Sequence, residues 1–208
     1  YEARATMVLA NTDGSDREVR ELKIWLAGND RRVVKFLSPP GIEGVGLLTE
    51  ADGSLYLYLP AQNRIRRIAG SVENEEFQGT DFSYNEMASY TYTDEYTATV
   101  SAEDAATWTL ILTKKTDSDR VYDRLVMTVE KATSVPRRIE LYKKGRCEKI
   151  LTLTEIRREG KYLIPVKIRM ENLIKQHYTE MTLTEVVFDQ GLVTQGVFTK
   201  RFLKKQVR

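Results

Sequence analysis

The feature that most constrains this chain is period-2 alternation in short runs, each closed by turn-forming residues. Side chains of a strand point to opposite faces in turn, so such runs are half-buried strands, and their close spacing favours antiparallel hairpins. The pattern predicts strands over 3–10 and 18–27, joined by the turn-rich Asn11-Thr12-Asp13-Gly14-Ser15-Asp16. In the second run Leu22, Ile24 and Leu26 share one face, while Glu21, Lys23 and Trp25 share the other. Gly28-Asn29-Asp30 turns the chain into a strand over 31–37, which Pro39-Pro40 ends because proline cannot donate to a ladder. Strands at 46–50 and 54–59 flank Ala51-Asp52-Gly53, and Asp-Gly is a strong hairpin signal. A further charged-and-apolar strand runs from Asn63 to Ala69.

Residues 71–89 break the alternation and predict a loop with one short helix, capped by Asp81 and carrying Phe82 and Met87 on its apolar side. Strand patterns resume at 90–100, 107–114, 122–131, 137–144, 147–157, 161–171, 178–188 and 193–203, with a single helical turn expected over Ser101 to Ala106. The expectation is ten to twelve antiparallel strands with little helix. No repeat, linker or low-complexity stretch divides the chain, and 208 residues suit one domain spanning 1–208.

Composition narrows the function. Lys plus Arg number 32 against 30 Asp plus Glu, a net charge of +2, which argues against a dedicated nucleic-acid binder. No apolar run approaches the ~20 residues of a membrane-spanning helix. The sequence opens at Tyr1 without an initiator Met or a basic-then-apolar leader, so a signal peptide or lipid-anchor cysteine upstream is expected to have been removed. His177 is the single histidine and Cys147 the single cysteine, so no histidine cluster holds zinc and no internal disulfide forms. A Cys147–His177 nucleophile pair lacks any local signature, and the plain reading is one strand residue and one loop residue. Carboxylate neighbours such as Glu75-Glu76 and Asp94-Glu95 would point to opposite sides if extended. Gly41, Gly44 and Gly46 follow a proline break and precede a strand, the wrong context for a phosphate loop. No catalytic residue, metal site or cofactor is expected. The scattered doublets Arg31-Arg32, Arg66-Arg67, Arg137-Arg138, Arg157-Arg158 and Lys204-Lys205 read as solvated outer-face residues, or as a rim attracting anionic headgroups.

Large apolar residues are the more informative set. Tyr56 and Tyr58 alternate with Leu55, Leu57 and Leu59, so this strand carries bulk on both faces. A sheet wetted on one side alternates more cleanly. Either a lid, a ligand or a partner covers the second face, or the tyrosines are amphipathic surface residues over an ordinary core. Strand parity makes Trp25, Phe36, Tyr56, Tyr58, Trp108 and Leu110 candidates to line an apolar cavity. Phe77, Phe82, Tyr84 and Met87, on the segment that breaks the pattern, are the candidate lid.

An ordered set of motifs is more specific than composition. Arg31-Arg32-Val33-Val34-Lys35-Phe36-Leu37-Ser38-Pro39 is followed by Gly44-Val45-Gly46-Leu47-Leu48-Thr49, Leu55-Tyr56-Leu57-Tyr58-Leu59-Pro60 and Arg64-Ile65-Arg66-Arg67-Ile68. Phe77-Gln78-Gly79-Thr80-Asp81-Phe82-Ser83-Tyr84-Asn85-Glu86-Met87 completes it. In this order and spacing they resemble the outer membrane lipoprotein-sorting proteins of the LolA/LolB-like superfamily. The resemblance implies a mainly β fold, a single curved antiparallel sheet forming an incomplete, half-open barrel with short helices or a loop as lid. It further implies a periplasmic, non-enzymatic carrier of lipoprotein acyl chains, phospholipid or fatty acid, working with an inner-membrane transporter. The alternative is a membrane-anchored lipoprotein acting as receptor or interaction module. Two departures stand out: the well-studied carriers have a helix before the first strand, and no local motif here matches their cavity arginine.

Overall fold

The structure is a computed structural model in which residues 1–88 and 91–207 are described. Thirteen strands are formed: β1 (Glu2–Asn11), β2 (Glu18–Ala27), β3 (Arg31–Ser38), β4 (Gly46–Thr49), β5 (Leu55–Leu59), β6 (Arg64–Ile68), β7 (Tyr96–Glu103), β8 (Thr107–Lys114), β9 (Arg124–Glu130), β10 (Pro136–Lys143), β11 (Arg146–Glu159), β12 (Tyr162–Asn172) and β13 (His177–Val187). Three helices of four residues accompany them: α1 (Tyr84–Met87), α2 (Tyr92–Glu95) and α3 (Lys200–Leu203). The strands join one sheet in the order β6-β5-β4-β3-β2-β1-β13-β12-β11-β10-β9-β8-β7. Within β2 to β6 and within β7 to β12, sequential neighbours pair antiparallel, as hairpin-spaced turns require. The mainly β, single-sheet class expected from the alternation is the one adopted.

Four local expectations differ. Among the described residues thirteen strands form rather than ten to twelve, because the runs from 3–10 to 178–188 each pair as a separate strand. The run 193–203 is not a strand: Gly196 takes φ +68°, and Thr199 caps α3 by accepting from the Phe202 amide at 3.2 Å. Residues 101–103 complete β7 instead of forming a helical turn, while α2 occupies the start of the run expected as strand 90–100. Residues 89 and 90, on which the ends of two expected segments fall, lie outside the described residues. Finally, Ser83 and not Asp81 caps α1, in a capping box where Ser83 Oγ accepts from the Glu86 amide and Glu86 Oε2 from the Ser83 amide.

The chain falls into two compact units. Unit 1 comprises Tyr1–Val8, Glu18–Tyr90 and Thr182–Arg208; unit 2 comprises Leu9–Arg17 and Thr91–Met181. Strands β2 to β6 belong to the first and β7 to β12 to the second, with β1 and β13 contributing to both.

Candidate functional site

Unit 1 carries apolar residues on both faces of β2–β5, as its doubly bulky strands demand. Cross-strand register fixes one face: Leu22 opposes Phe36, Ile24 opposes Val34, Val34 opposes Leu47, and Leu47 opposes Leu57. Antiparallel partners share a face. The non-strand segment at 70–88 packs here. Phe77 stacks on Phe36 at 5.5 Å between ring centroids and meets Tyr84 edge-on at 5.5 Å. Phe77, Phe82, Tyr84 and Met87 are all buried. Arg20 ties the segment down, donating from Nη1 to the Gln78 carbonyl at 2.7 Å while its guanidinium lies over Phe36 at 5.7 Å. Arg32 Nη1 likewise donates to the Met87 carbonyl at 2.8 Å.

The opposite face follows from the alternate residues. Trp25 opposes Val33, Val33 opposes Leu48, and Leu48 opposes Tyr56. The C-terminal segment seals this face: Leu192, Val197, Phe198 and Leu203 complete a cluster with Trp25, Val33, Leu48 and Tyr58. Phe202 meets Trp25 edge-on at 5.1 Å, and Lys200 Nζ lies 3.7 Å from the Tyr56 ring centroid. Gly46 permits the approach, since a Cβ there would sit 2.8 Å from Leu203 Cδ1. Lys35, only 1% exposed, donates from Nζ to the carbonyls of Leu203 and Lys205. Burial lowers its pKa to about 8.

The six candidate lining residues therefore do not share one surface. Phe36 faces the 70–88 segment; Trp25, Tyr56 and Tyr58 face the C-terminal segment; Trp108 and Leu110 belong to unit 2. The parity of each strand was legible, but the face that two strands have in common depends on register, which alternation alone does not give.

In unit 2 the register lays apolar residues in rows across the strands. One row runs Ala98, Leu112, Leu125, Leu141, Lys149, Asn172; the next runs Val100, Leu110, Met127, Ile139, Leu151, Met170. A shorter third row runs Glu103, Trp108, Val129, Pro136. Adjacent rows stand two residues apart along a strand, roughly 7 Å. Leu112, Leu125, Met127, Ile139 and Met170 are buried, whereas Trp108, Leu110 and Leu151 are half-buried and Val100 is 61% exposed. Among the described residues, unit 2 has a single helix, α2, and a non-strand segment at 115–123 whose Tyr122 accepts from Tyr96 Oη at 3.1 Å and lies under Lys149 Nζ at one end of the rows. At the rim Trp108 Nε1 donates to Glu103 Oε2 at 3.0 Å, and Lys131 Nζ pairs with the same carboxylate at 3.4 Å. The sequence reading missed most of these row residues, although the alternation of 122–131 and 161–171 carried the signal.

What the rows offer chemically is apolar contact. Among the described residues no group of three or more His, Cys, Asp or Glu is placed to hold a metal, and no helix is long and apolar enough to cross a membrane. Desolvation, then Glu140, pushes the Cys147 thiol above its usual pKa, away from the thiolate that a nucleophile needs.

The comparisons agree with this architecture. A putative outer membrane lipoprotein-sorting protein domain from Vibrio parahaemolyticus superposes with a TM-score of 0.86 at 25% identity, covering 98% of this chain and 91% of that one. A DUF1329 family protein from Desulfovibrio piger gives 0.87 at 24% identity, over 97% and 90%. A LolA superfamily protein from Nitrosomonas europaea gives 0.76 at 17% identity, again over 97% and 90%. No curated protein sequence matches the chain. A family model described as "Uncharacterized protein" matches residues 28–205. The chain belongs to that family, and its fold is that of the LolA-like outer membrane lipoprotein-sorting proteins.

Proposed function

We propose that this chain is a non-enzymatic carrier that takes up acyl chains of lipoproteins or lipids in the periplasm of a bacterium with an outer membrane. The observation that carries the reading is the set of apolar rows in unit 2, within a fold 25% identical in sequence to a lipoprotein-sorting protein domain. Trp108 and Leu110 are the acyl contacts from the expected lining, joined by Val100 and Leu151. Each CH₂ that leaves water there contributes about 0.8 kcal/mol, so affinity needs no specific polar contact. Phe77, Phe82, Tyr84 and Met87 close the Phe36 face of unit 1, and a chain entering that face would have to displace them. Protein purified without detergent is expected to show co-purified lipid by native mass spectrometry, and delipidated protein to bind a fluorescent fatty acid. Absence of both would remove the carrier reading.

A further inference from the structure

The two edges of the sheet are built in opposite ways. β6, at one end of the order, exposes Arg64, Arg66 and Arg67 within five residues. Charge of this density on an edge strand blocks pairing with another chain. β7, at the other end, carries no charge from Thr97 to Ala102, and all six of these residues are exposed. Among the described residues, no other strand lies on its outer side.

Hydrogen bonding shows what that outer side presents. Lys115 donates to the Glu95 carbonyl, while the Lys114 amide donates away from β7, to Asp123. Tyr96 and Lys114 are therefore a pair without mutual backbone hydrogen bonds, and the antiparallel pattern alternates from there. Thr97 and Thr99 bond to β8, and the amides and carbonyls of Ala98 and Val100 point outward. Their side chains share a face with Leu112 and Leu110, in the apolar rows. The free edge and the apolar face thus meet at the same two residues.

We infer that β7 takes up an extended polypeptide segment as an added strand, so that the cargo is an acylated polypeptide with its acyl chain on the adjoining rows and its backbone on Ala98 and Val100. The inference rests on the carrier reading and names its cargo class. Strand addition draws affinity from main-chain hydrogen bonds and so tolerates many cargo sequences. An uncharged edge next to an apolar face suits a chain that leaves its acyl group on that face.

Binding of two probes distinguishes the possibilities: palmitate, and an N-palmitoylated hexapeptide of serine and alanine. The lipopeptide is expected to bind at least about tenfold tighter than palmitate. Ala98→Pro removes an outward N–H without taking a bond from β8, and proline is tolerated at such edge positions. It should abolish the lipopeptide's advantage, read as the ratio of the two probes' affinities for the same variant. Should Ala98→Pro fold poorly, the lipopeptide N-methylated at every residue, so that neither edge of the peptide can donate, should lose the same advantage on the wild-type protein. Equal affinity for the two probes, or an advantage that survives the N-methylated peptide, would overturn strand addition while leaving the carrier reading intact. Failure to bind either probe would overturn both. Concentration-dependent dimerisation abolished by Ala98→Pro would assign the edge to a second copy of this chain, and so refute the cargo assignment.

Discussion

Unit 1 and unit 2 are built from the same alternating strands, yet they deal with apolar faces differently. Unit 1 seals both of its faces with its own chain, the 70–88 segment on one and the C-terminal segment on the other. Unit 2, whose segment 115–123 meets its rows at Tyr96 and Lys149, leaves Trp108, Leu110 and Leu151 half-buried. The difference teaches that bulky apolar residues do not by themselves mark a ligand surface. What marks one is apolar area that the chain's own connecting segments do not finish covering.

The largest expected effect tests the sealed half. Phe77 is fully buried between Phe36 and Tyr84, so Phe77→Ala should leave a cavity costing about 3–5 kcal/mol of folding stability, read as a lower denaturant midpoint. Fatty-acid affinity per folded molecule should stay unchanged. A stability loss below about 1 kcal/mol with weakened binding would mean that 70–88 is a moving lid and that unit 1 also holds cargo.

The converse holds for unit 2. Leu110 is half-buried, so Leu110→Ala should cost only about 1 kcal/mol of stability. Loss of its acyl contact, on the order of 1–1.5 kcal/mol, should weaken fatty-acid binding about tenfold. Unchanged binding together with a stability loss as large as that of Phe77→Ala would erase the contrast, making both units ordinary cores.

A smaller effect sharpens the account of the C-terminal seal. Burial lowers the Lys35 pKa from 10.5 in the unfolded chain to about 8 in the fold. Between those values the unfolded state binds more protons, so Lys35's contribution makes stability rise with pH over this window. Below pH 8 both states are protonated and the contribution is flat. The neutral amine still has two N–H donors for the carbonyls of Leu203 and Lys205, so deprotonation removes the desolvation cost without freeing the segment. The gain, discounted for solvent screening, is on the order of 1 kcal/mol and should vanish in Lys35→Met. Identical pH curves for the two proteins from 8 to 10.5 would show that Lys35 is not held in this environment.

How much of this was legible in the sequence follows from where the information lies. Alternation is local, so β2, β3, β8 and β12 could be read within a residue or two. The closing segment around Phe77 and Phe82 was visible because it broke the alternation. The face shared by Trp25 and Val33, or by Leu110 and Met127, is set by pairing between strands, which no single run contains. The C-terminal segment misled for a related reason. Val193, Val197 and Phe198 mimic a strand pattern, yet Gly196 and the Thr199 cap turn the segment, so that Val197 and Phe198 plug the Trp25 face while Val193 stays exposed. Nothing in the run 31–37 marks Lys35 as buried, because its two carbonyl partners come from residues about 170 positions later.

The smallest expected effect concerns the two residues that most invite a catalytic reading. Cys147 begins near the start of β11 and His177 at the start of β13. A working Cys–His pair lowers the thiol pKa through a neighbouring imidazolium. Here desolvation and the Glu140 carboxylate raise it instead, and the thiol donates to the Lys149 carbonyl at 3.5 Å. The proposed carrier activity, through apolar contact, needs neither group. Cys147→Ser and His177→Gln should each leave fatty-acid binding within about twofold, less than ~0.5 kcal/mol. Both residues belong to unit 2, so the experiment also tests whether that unit works by its apolar rows alone. A loss of tenfold or more from either change, with the denaturant midpoint unmoved, would show that a polar group takes part in the unit's work, and the rows would then be only part of the site.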